Sequence, residues 1–449
     1  MATTYLTRTP SSTGNLRTFT ISFWVKKCLA NKGGDTSQQI IGQTASDYFR
    51  LMFLNSTDQF RFYDESGMSK MTTRRFNDPN SWYHFVVRID TTQGSASDRN
   101  RLYVNGVQET SFSTDTNSGQ NTELHFNRQH LHSIGRSSSS GGYDYFDGCL
   151  SDFILIDGQS LAPTSFAETD TDTGEWKPKQ LADNAFTWGT NGFRILKDGM
   201  TVTDQSTNSN NWTVGGTLTK TEDSPSNVFA TLNPLAFVTA YTLSKGNLTF
   251  NGGTITSWVH GVPATMGASS GKYYWEVKWK NGISTSIVGV LPIDKSYHCS
   301  DTGGGSVYTY SNSFQLANNG AGTIYNYGAS NTNGFQRAHD DVIMFAMDMD
   351  NKKLWSGANG TWYNSGNPAT GATPLWDTSK FPSDWDNGFI PFCQSYYSGT
   401  ATEFEFNFGN GYFGTTAVSS AGTNASGNGI FEYNVPAGFT ALSTTGLNT

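Results

Sequence analysis

Long apolar runs are missing from this sequence. Nowhere in its 449 residues does a stretch approach the ~18 apolar residues that a membrane-spanning helix needs. Charge is sparse as well, at 15 % of residues, and 29 Lys and Arg against 37 Asp and Glu leave a net charge of −8. An acidic chain without a basic run is badly equipped to hold a phosphate backbone, so no nucleic-acid partner is expected. Cysteine is scarce: Cys28, Cys149, Cys299 and Cys393 form no C-x-x-C pair. They read as reduced, mostly buried thiols rather than as a metal or redox centre. Met1 to Pro10 lacks the apolar core of a secretory signal, which predicts a chain made and folded in a cytosol. Helical periodicity is also missing, and so is membrane insertion.

Aromatic residues, in contrast, reach 14 %, and Gly numbers 48. That mixture suits short strands joined by polar turns, because aromatic and β-branched side chains fit a pleated, half-buried surface. Phe19, Ile21, Phe23 and Val25 alternate along one strand, followed by Phe49–Phe53, Phe60–Tyr63, Trp82–Asp90 and Arg101–Val107. Asn105-Gly106 is a strong signal for a tight hairpin turn. Phe146–Ile156 is a further strand pair. Regular strands without helices between them predict an antiparallel sandwich. At ~100–200 residues per domain the chain has room for two or three.

The texture changes between about Ala162 and Pro234, where Trp176, Trp188 and Trp212 stand isolated among polar residues. Aromatics need burial, so this stretch reads as an ordered connector rather than a free linker. A second strand-rich region holds Lys272–Trp279, Asp341–Asp350 and Glu403–Phe408, and the run from Thr415 to Asn428 reads as a mobile loop or tail. The predicted division is therefore 1–165, a sandwich; 166–234, the connector; and 235–449, a second sandwich with a mobile C-terminal tail.

The first region resembles a LamG-type concanavalin-like lectin domain through "SFWVKK" (Ser22–Lys27), "SWYHFVVRIDTT" (Ser81–Thr92), "RLYVNGVQ" (Arg101–Gln108) and "FDGCLSDFILIDGQSL" (Phe146–Leu161). The second resembles a SPRY domain through "SSGKYYWEVKW" (Ser269–Trp279), "SIVGVL" (Ser286–Leu291), Asp340–Gly366 and "FEFNFG" (Phe404–Gly409). Between them "FAETDTDTGEWKPK" (Phe166–Lys179), "GTNGFRIL" (Gly189–Leu196) and "DSPSNVFATLNPL" (Asp223–Leu235) are similar to a connector of virion proteins of marine tailed phages. The resemblance implies an all-β protein of two antiparallel concanavalin-like (jelly-roll) sandwiches with a non-catalytic role on a virion, assembled in the host bacterial cytoplasm.

Concanavalin-like folds also host glycan hydrolases, which need two carboxyl groups flanking the scissile bond. Glu403 and Glu405 share a face, but Asn407 occupies the third alternate position, and an ordinary two-faced strand with exposed glutamates is the simpler reading. Gly409–Gly414 satisfies G-x-G-x-x-G without a helix to follow it, so a glycine-rich turn is expected. Asp348, Asp350 and Asn351 resemble the start of a calcium loop whose remaining ligands are missing, which leaves a polar hairpin turn. His130 and His132 sit two apart, as on a solvated strand face. No catalytic residue, metal ligand or cofactor is therefore expected. A LamG resemblance is compatible with a rim calcium, but no ligand set stands out.

For binding, the segment from Tyr297 to Tyr327 has the composition of a sugar-contacting loop, with Tyr297, His298, Tyr308, Tyr310, Tyr325 and Tyr327 among Gly, Ser and Asn. Tyr offers a large rigid contact at low entropy cost. Trp362, Tyr396 and Tyr397 are possible neighbours, and SPRY relatives imply a loop-edge binding surface here. The alternate spacing of these tyrosines equally fits strand filling. The expected function is a tail fibre or capsid-surface fibre contacting host-surface glycan or protein and other virion proteins. It would act as a homo-oligomer, a trimer ahead of a dimer. A decoration protein stabilising capsid or tail is the alternative, and a glycan-degrading enzyme is the alternative of another class.

Overall fold

The structure, a computed structural model, describes residues 4–28, 37–44, 48–137, 144–236, 241–252, 261–281, 286–300, 312–318, 323–326, 329–332, 338–379, 381, 383–395 and 402–448. The chain divides into two compact units, Met1–Lys220 with Ser224–Ser226, and Thr221–Asp223 with Asn227–Thr449. Both are built from antiparallel sheets, and the one α-helix among the described residues is a single turn, Thr444–Leu447. The all-β expectation holds.

Unit 1 contains β1 (Tyr5–Arg8), β2 (Thr18–Lys27), β3 (Ser37–Thr44), β4 (Phe49–Leu54), β5 (Gln59–Asp64), β6 (Met68–Arg75), β7 (Trp82–Asp90), β8 (Asn100–Val104), β9 (Val107–Gln108), β10 (Phe112–Thr116), β11 (Leu131–Ile134), β12 (Gly148–Asp157), β13 (Ala167–Thr169), β14 (Trp176–Pro178), β15 (Phe193–Ile195) and β16 (Thr213–Gly215). One sheet runs β10-β6-β5-β4-β3-β11-β1-β16 and the other β15-β12-β2-β7-β8-β9. The alternation read from sequence sets the packing. Phe60 and Phe62 of β5 point inward while Gln59, Arg61 and Tyr63 point outward. Between the sheets Phe23 stacks on Phe85 and Phe153, at 5.6 and 5.2 Å between ring centroids. Each such ring removed from water contributes roughly 1.5–3 kcal/mol.

The second sheet of unit 1 is buried on both faces. On β2, Thr20, Ser22, Trp24 and Lys26 are as inaccessible as the core residues between them. Their cover is the stretch expected to be a connector. Phe166 and Trp188 pack with Val86, Ile154 and Ile156, β15 extends the sheet beside β12, and β16 pairs with β1. The segment 166–234 is thus not a separate body: through Lys220 it belongs to unit 1. The isolated tryptophans are the reason, because each needs an apolar wall and the outer face of this sheet supplies it.

Unit 2 contains β17 (Thr242–Ser244), β18 (Thr249–Asn251), β19 (Gly261–Pro263), β20 (Lys272–Asn281), β21 (Ser286–Pro292), β22 (Phe314–Asn318), β23 (Thr323–Asn326), β24 (Ala329–Thr332), β25 (Val342–Asp348), β26 (Lys353–Ala358), β27 (Thr361–Trp362), β28 (Phe389–Ser395), β29 (Glu403–Asn407), β30 (Tyr412–Phe413), β31 (Thr416–Ala417) and β32 (Thr440–Ala441). Its sheets run β17-β18-β29-β20-β25-β26-β27, with β32 parallel to β20, and β19-β28-β21-β22-β23-β24. Trp275, Phe345 and Phe389 stack at the centre of the core between them.

Beyond the run from Thr415 to Asn428, the C-terminal segment is packed. Phe431, Val435, Phe439 and Ala441 bury against Tyr274, Met344, Ala346 and Trp355, on the outer face of the β20 sheet. The Ser, Gly and Thr run up to Asn428 is only the approach to these anchors. One buried group ties them down. Glu276, wholly inaccessible on β20, accepts from the Tyr274 hydroxyl at 2.9 Å and the backbone N–H of Tyr433 at 2.8 Å. Its second oxygen accepts from the Glu432 N–H at 2.9 Å and the Asn407 amide at 3.2 Å. Burial pushes its pKa up to about 7 from 4.5, and these four hydrogen bonds oppose the rise.

The sign of the resulting pH dependence follows. With a folded value above the unfolded one, the stability contributed by Glu276 is complete below about pH 4.5 and is lost as pH rises through about 7. At ~1.4 kcal/mol per unit the loss is about 3 kcal/mol. Unfolding free energies of wild type and Glu276→Gln, measured across that interval, should converge or cross accordingly. A difference that does not change with pH would show that the carboxyl does not titrate there.

Candidate functional site

The expected sugar-contacting residues divide three ways. Tyr308, Tyr310, Tyr327, Tyr396 and Tyr397 lie outside the described residues. Tyr297 and His298 fall in the 3-10 helix Ile293–Ser300 and Tyr325 on β23, and Tyr297 is 54 % exposed. Trp362, on the edge strand β27, is half-buried beside Tyr274, 6.3 Å between ring centroids, as part of the cluster that holds the C-terminal segment. Trp362 therefore already serves as packing.

The residues that suggested chemistry are occupied internally. Phe404 and Phe406 face the core, but Glu405 is buried rather than exposed, ion-paired to Lys245 at 3.0 Å. Asp348 accepts from the backbone and side-chain amides of Asn351 at 2.9 Å and from Lys272 at 3.0 Å, while Asp350 accepts from the Gly271 N–H. This is a hairpin turn. His132 is buried, not on a solvated face: its Nδ1 lies 2.8 Å from the His130 carbonyl, and burial lowers its pKa to about 4. His130 is exposed. Gly409 and Gly411, at φ 121° and 82°, take the N–H side of a turn around the Asn407 side-chain oxygen. A Cβ on Gly409 would stand 2.4 Å from the Phe229 ring, so the glycine answers a close approach, not a phosphate. Among the described residues no group of three or more His, Cys, Asp or Glu could hold a metal ion. Cys28 lies within hydrogen-bonding reach of Cys149, and none of the four cysteines is in a disulfide.

One arrangement has the outline of a nucleophile and base. Ser22 Oγ and His84 Nε2 are 2.8 Å apart, with His84 sandwiched between Trp24 and Trp176. The indole Nε1 of Trp176 lies 3.1 Å from His84 Nδ1. An indole N–H can only donate, so Nδ1 is the acceptor and the imidazole proton sits on Nε2. His84 therefore donates to Ser22 and cannot take its proton. Both residues are inaccessible, and burial lowers the His84 pKa to about 3. The pair fixes the covering segment to the sheet.

A surface that sequence reading missed lies on the other sheet of unit 1. Arg50 on β4 is directly opposite Tyr63 on β5, and Arg61 lies two residues further on. The Arg50 guanidinium stacks over Tyr48 at 4.0 Å and that of Arg61 over Tyr63 at 4.5 Å. The two rings meet edge to face at 5.8 Å. All four side chains are half-buried. The signal in sequence was the polar member of each alternating pair, which marks a face but not which polar groups meet across strands.

Residues 2–164 match the family profile described as the concanavalin A-like lectin/glucanases superfamily. No curated protein matches the chain in sequence. Similar solved structures include the human HERC1 SPRY domain, at 16 % identity, covering 39 % of this chain and 96 % of that one with a TM-score of 0.28. Mouse laminin α1 domains LG4-5 match at 9 % identity over 98 % of this chain and 84 % of that one, TM-score 0.27. A SAP-like pentraxin from Limulus polyphemus matches at 16 % identity over 35 % and 71 %, TM-score 0.26.

A neutral, locked His84 has a direct signature. Its folded pKa is depressed, so the stability it contributes is present above about 6.5 and is lost as pH falls toward about 3. Its imidazole NMR resonances should stay fixed between about pH 8 and about pH 5, the range in which an ordinary histidine titrates. A midpoint near 6.5 in the folded protein would mean that the ring is accessible and the Ser22 pair open to chemistry.

Proposed function

We propose that the chain is a non-enzymatic binding protein of a virion surface, a tail fibre or capsid-surface fibre that attaches to host-surface glycan. The observation that carries the binding part is the match of residues 2–164 to a concanavalin A-like lectin profile. The virion part is supported by the likeness of Phe166–Lys179 and Asp223–Leu235 to a connector of tailed-phage virion proteins. A homo-oligomer, a trimer in this reading, would multiply weak sugar contacts into avidity. The competing reading is hydrolysis, because the matched profile also covers glucanases. Against it stand the internally satisfied Glu276 and Glu405 and the tautomer imposed on His84.

The test combines location and chemistry. Gold-labelled antibodies to the chain should decorate intact particles in electron micrographs. The purified chain should bind host envelope polysaccharide without releasing reducing ends. Undecorated particles would remove the virion assignment, and sugar release at a rate proportional to protein would replace the adhesin by an enzyme.

A further inference from the structure

We infer that the outer face of β4, β5 and β6 in unit 1 is a binding surface for an acidic polysaccharide, one carrying carboxylate or sulfate groups. The inference rests on the binding-protein reading and names the ligand class and the site. Cross-strand partners point to the same side of a sheet. Arg50 faces outward opposite Tyr63, Arg61 opposite Met52, and Arg75 opposite Gln59. The three arginines therefore lie on a diagonal across three adjacent strands. Outward positions step by about 7 Å along a strand and strands by about 5 Å, so neighbouring arginines anchor about 9 Å apart. A β-bulge between Gln59 and Arg61 falls within the Arg61–Arg75 step, and the row as a whole suits a polymer that carries several charges.

The row has no ion pair of its own among the described residues, and the acid that adjoins it is Glu65 in the turn after β5. Some cations of unit 1 are paired with carboxylates, as in Lys27–Asp58, Lys70–Asp115, Arg101–Asp98 and Arg194–Asp152, and others, such as Arg88 and Arg99, spend their N–H groups on hydroxyl or backbone oxygens. Arg50, Arg61 and Arg75 have no carboxylate partner among the described residues, and Arg61 bonds only the Ser69 hydroxyl, at 3.3 Å. The outward positions of β4, β5, β6 and the neighbouring β10 carry no acid at all. Three cations without a carboxylate partner among the described residues, on one face of a chain with net charge −8, mark a place where an anion can be held from outside.

The geometry also favours oxyanions on a sugar chain over a protein. A guanidinium stacked on a tyrosine ring keeps its N–H edge outward, in the fork that matches carboxylate or sulfate bidentately. The surrounding outward residues, Gln59, Ser69 and Thr114, offer hydroxyl and amide partners for sugar hydroxyls. The apolar outward residues beside Arg61 are Met52, 5 % exposed, and the half-buried Met71. Protein interfaces centre on an aromatic or aliphatic anchor that enters a pocket, and here the two tyrosine rings are already covered by the arginines.

The test uses the full chain with polygalacturonate and dextran sulfate as probes and neutral dextran as control. Wild type should bind one or both acidic polymers, more weakly as salt is raised, and neutral dextran not measurably. Arg50→Gln/Arg61→Gln/Arg75→Gln should bind at least about tenfold more weakly with its melting temperature little changed, since three charge-assisted contacts are lost. Arg17→Gln/Lys177→Gln/Lys197→Gln makes the same change in net charge, from −8 to −8 − 3 = −11, and should bind like wild type. Equal weakening by both variants would reduce the effect to overall charge and overturn the site. So would unchanged binding by the folded first variant, or a loss confined to self-association. Attachment to host cells that survives the first variant would leave the binding-protein reading intact while removing this face.

Discussion

In each unit one sheet is buried on both sides, and much else follows from that. A sheet sandwiched by a single partner needs apolar residues only at alternate positions. Here β2 and β20 carry bulk on both faces, Trp24 behind Phe23 and Tyr274 behind Trp275. Outward rings of that size left in water would present an apolar patch prone to association. The chain covers them with segments of its own, Leu161–Trp188 in unit 1 and Phe431–Leu442 in unit 2. The two covers lack regular secondary structure over most of their length, so their backbone groups need partners other than a ladder.

That requirement explains the buried polar groups. His84 and Glu276 each sit on the outer face of a covered sheet and bond the segment laid over it, His84 through Trp176 and Glu276 through the N–H groups of Glu432 and Tyr433. Burying a polar group is costly unless its hydrogen bonds are replaced. Both residues meet that condition, which makes them position-specific: an apolar cover could slide, whereas a two-pronged carboxylate fixes one register. The same satisfaction removes them from catalysis, since each lone pair or proton that chemistry would use is already committed.

The fold class was legible because alternation is a local property. Phe19, Ile21, Phe23 and Val25 announce a strand without reference to anything distant. Two-sided burial is not local. Thr20, Ser22, Trp24 and Lys26 read as the polar side of the strand until Trp188 and Phe166 are placed over them. The surface that receives the connector and the packing of Phe431–Ala441 were hidden for that reason, as was the burial of Glu405, which depends on what the chain does some ten residues later around Gly414. The arginine face was invisible for a related cause. Arg50, Arg61 and Arg75 are 11 and 14 residues apart in sequence and become neighbours only through strand register.

Covered and uncovered faces then divide the labour within unit 1. The sheet that receives the connector is rigid scaffold, closed on both sides. The opposite sheet turns polar, cationic groups outward over β4 to β6, and two of them are already ordered: Arg50 and Arg61 each lie on a tyrosine, and the tyrosines abut each other. Immobilising a long side chain on binding costs about 0.5–1.5 kcal/mol. An arginine held against a ring before the ligand arrives has lost much of that freedom on folding instead. A weak, repeated contact gains most from such preorganisation, because a small saving recurs at every site along a polymer and at every copy of the chain. The stacked tyrosines are thus as much a part of the surface as the charges they hold, although they need not touch the ligand.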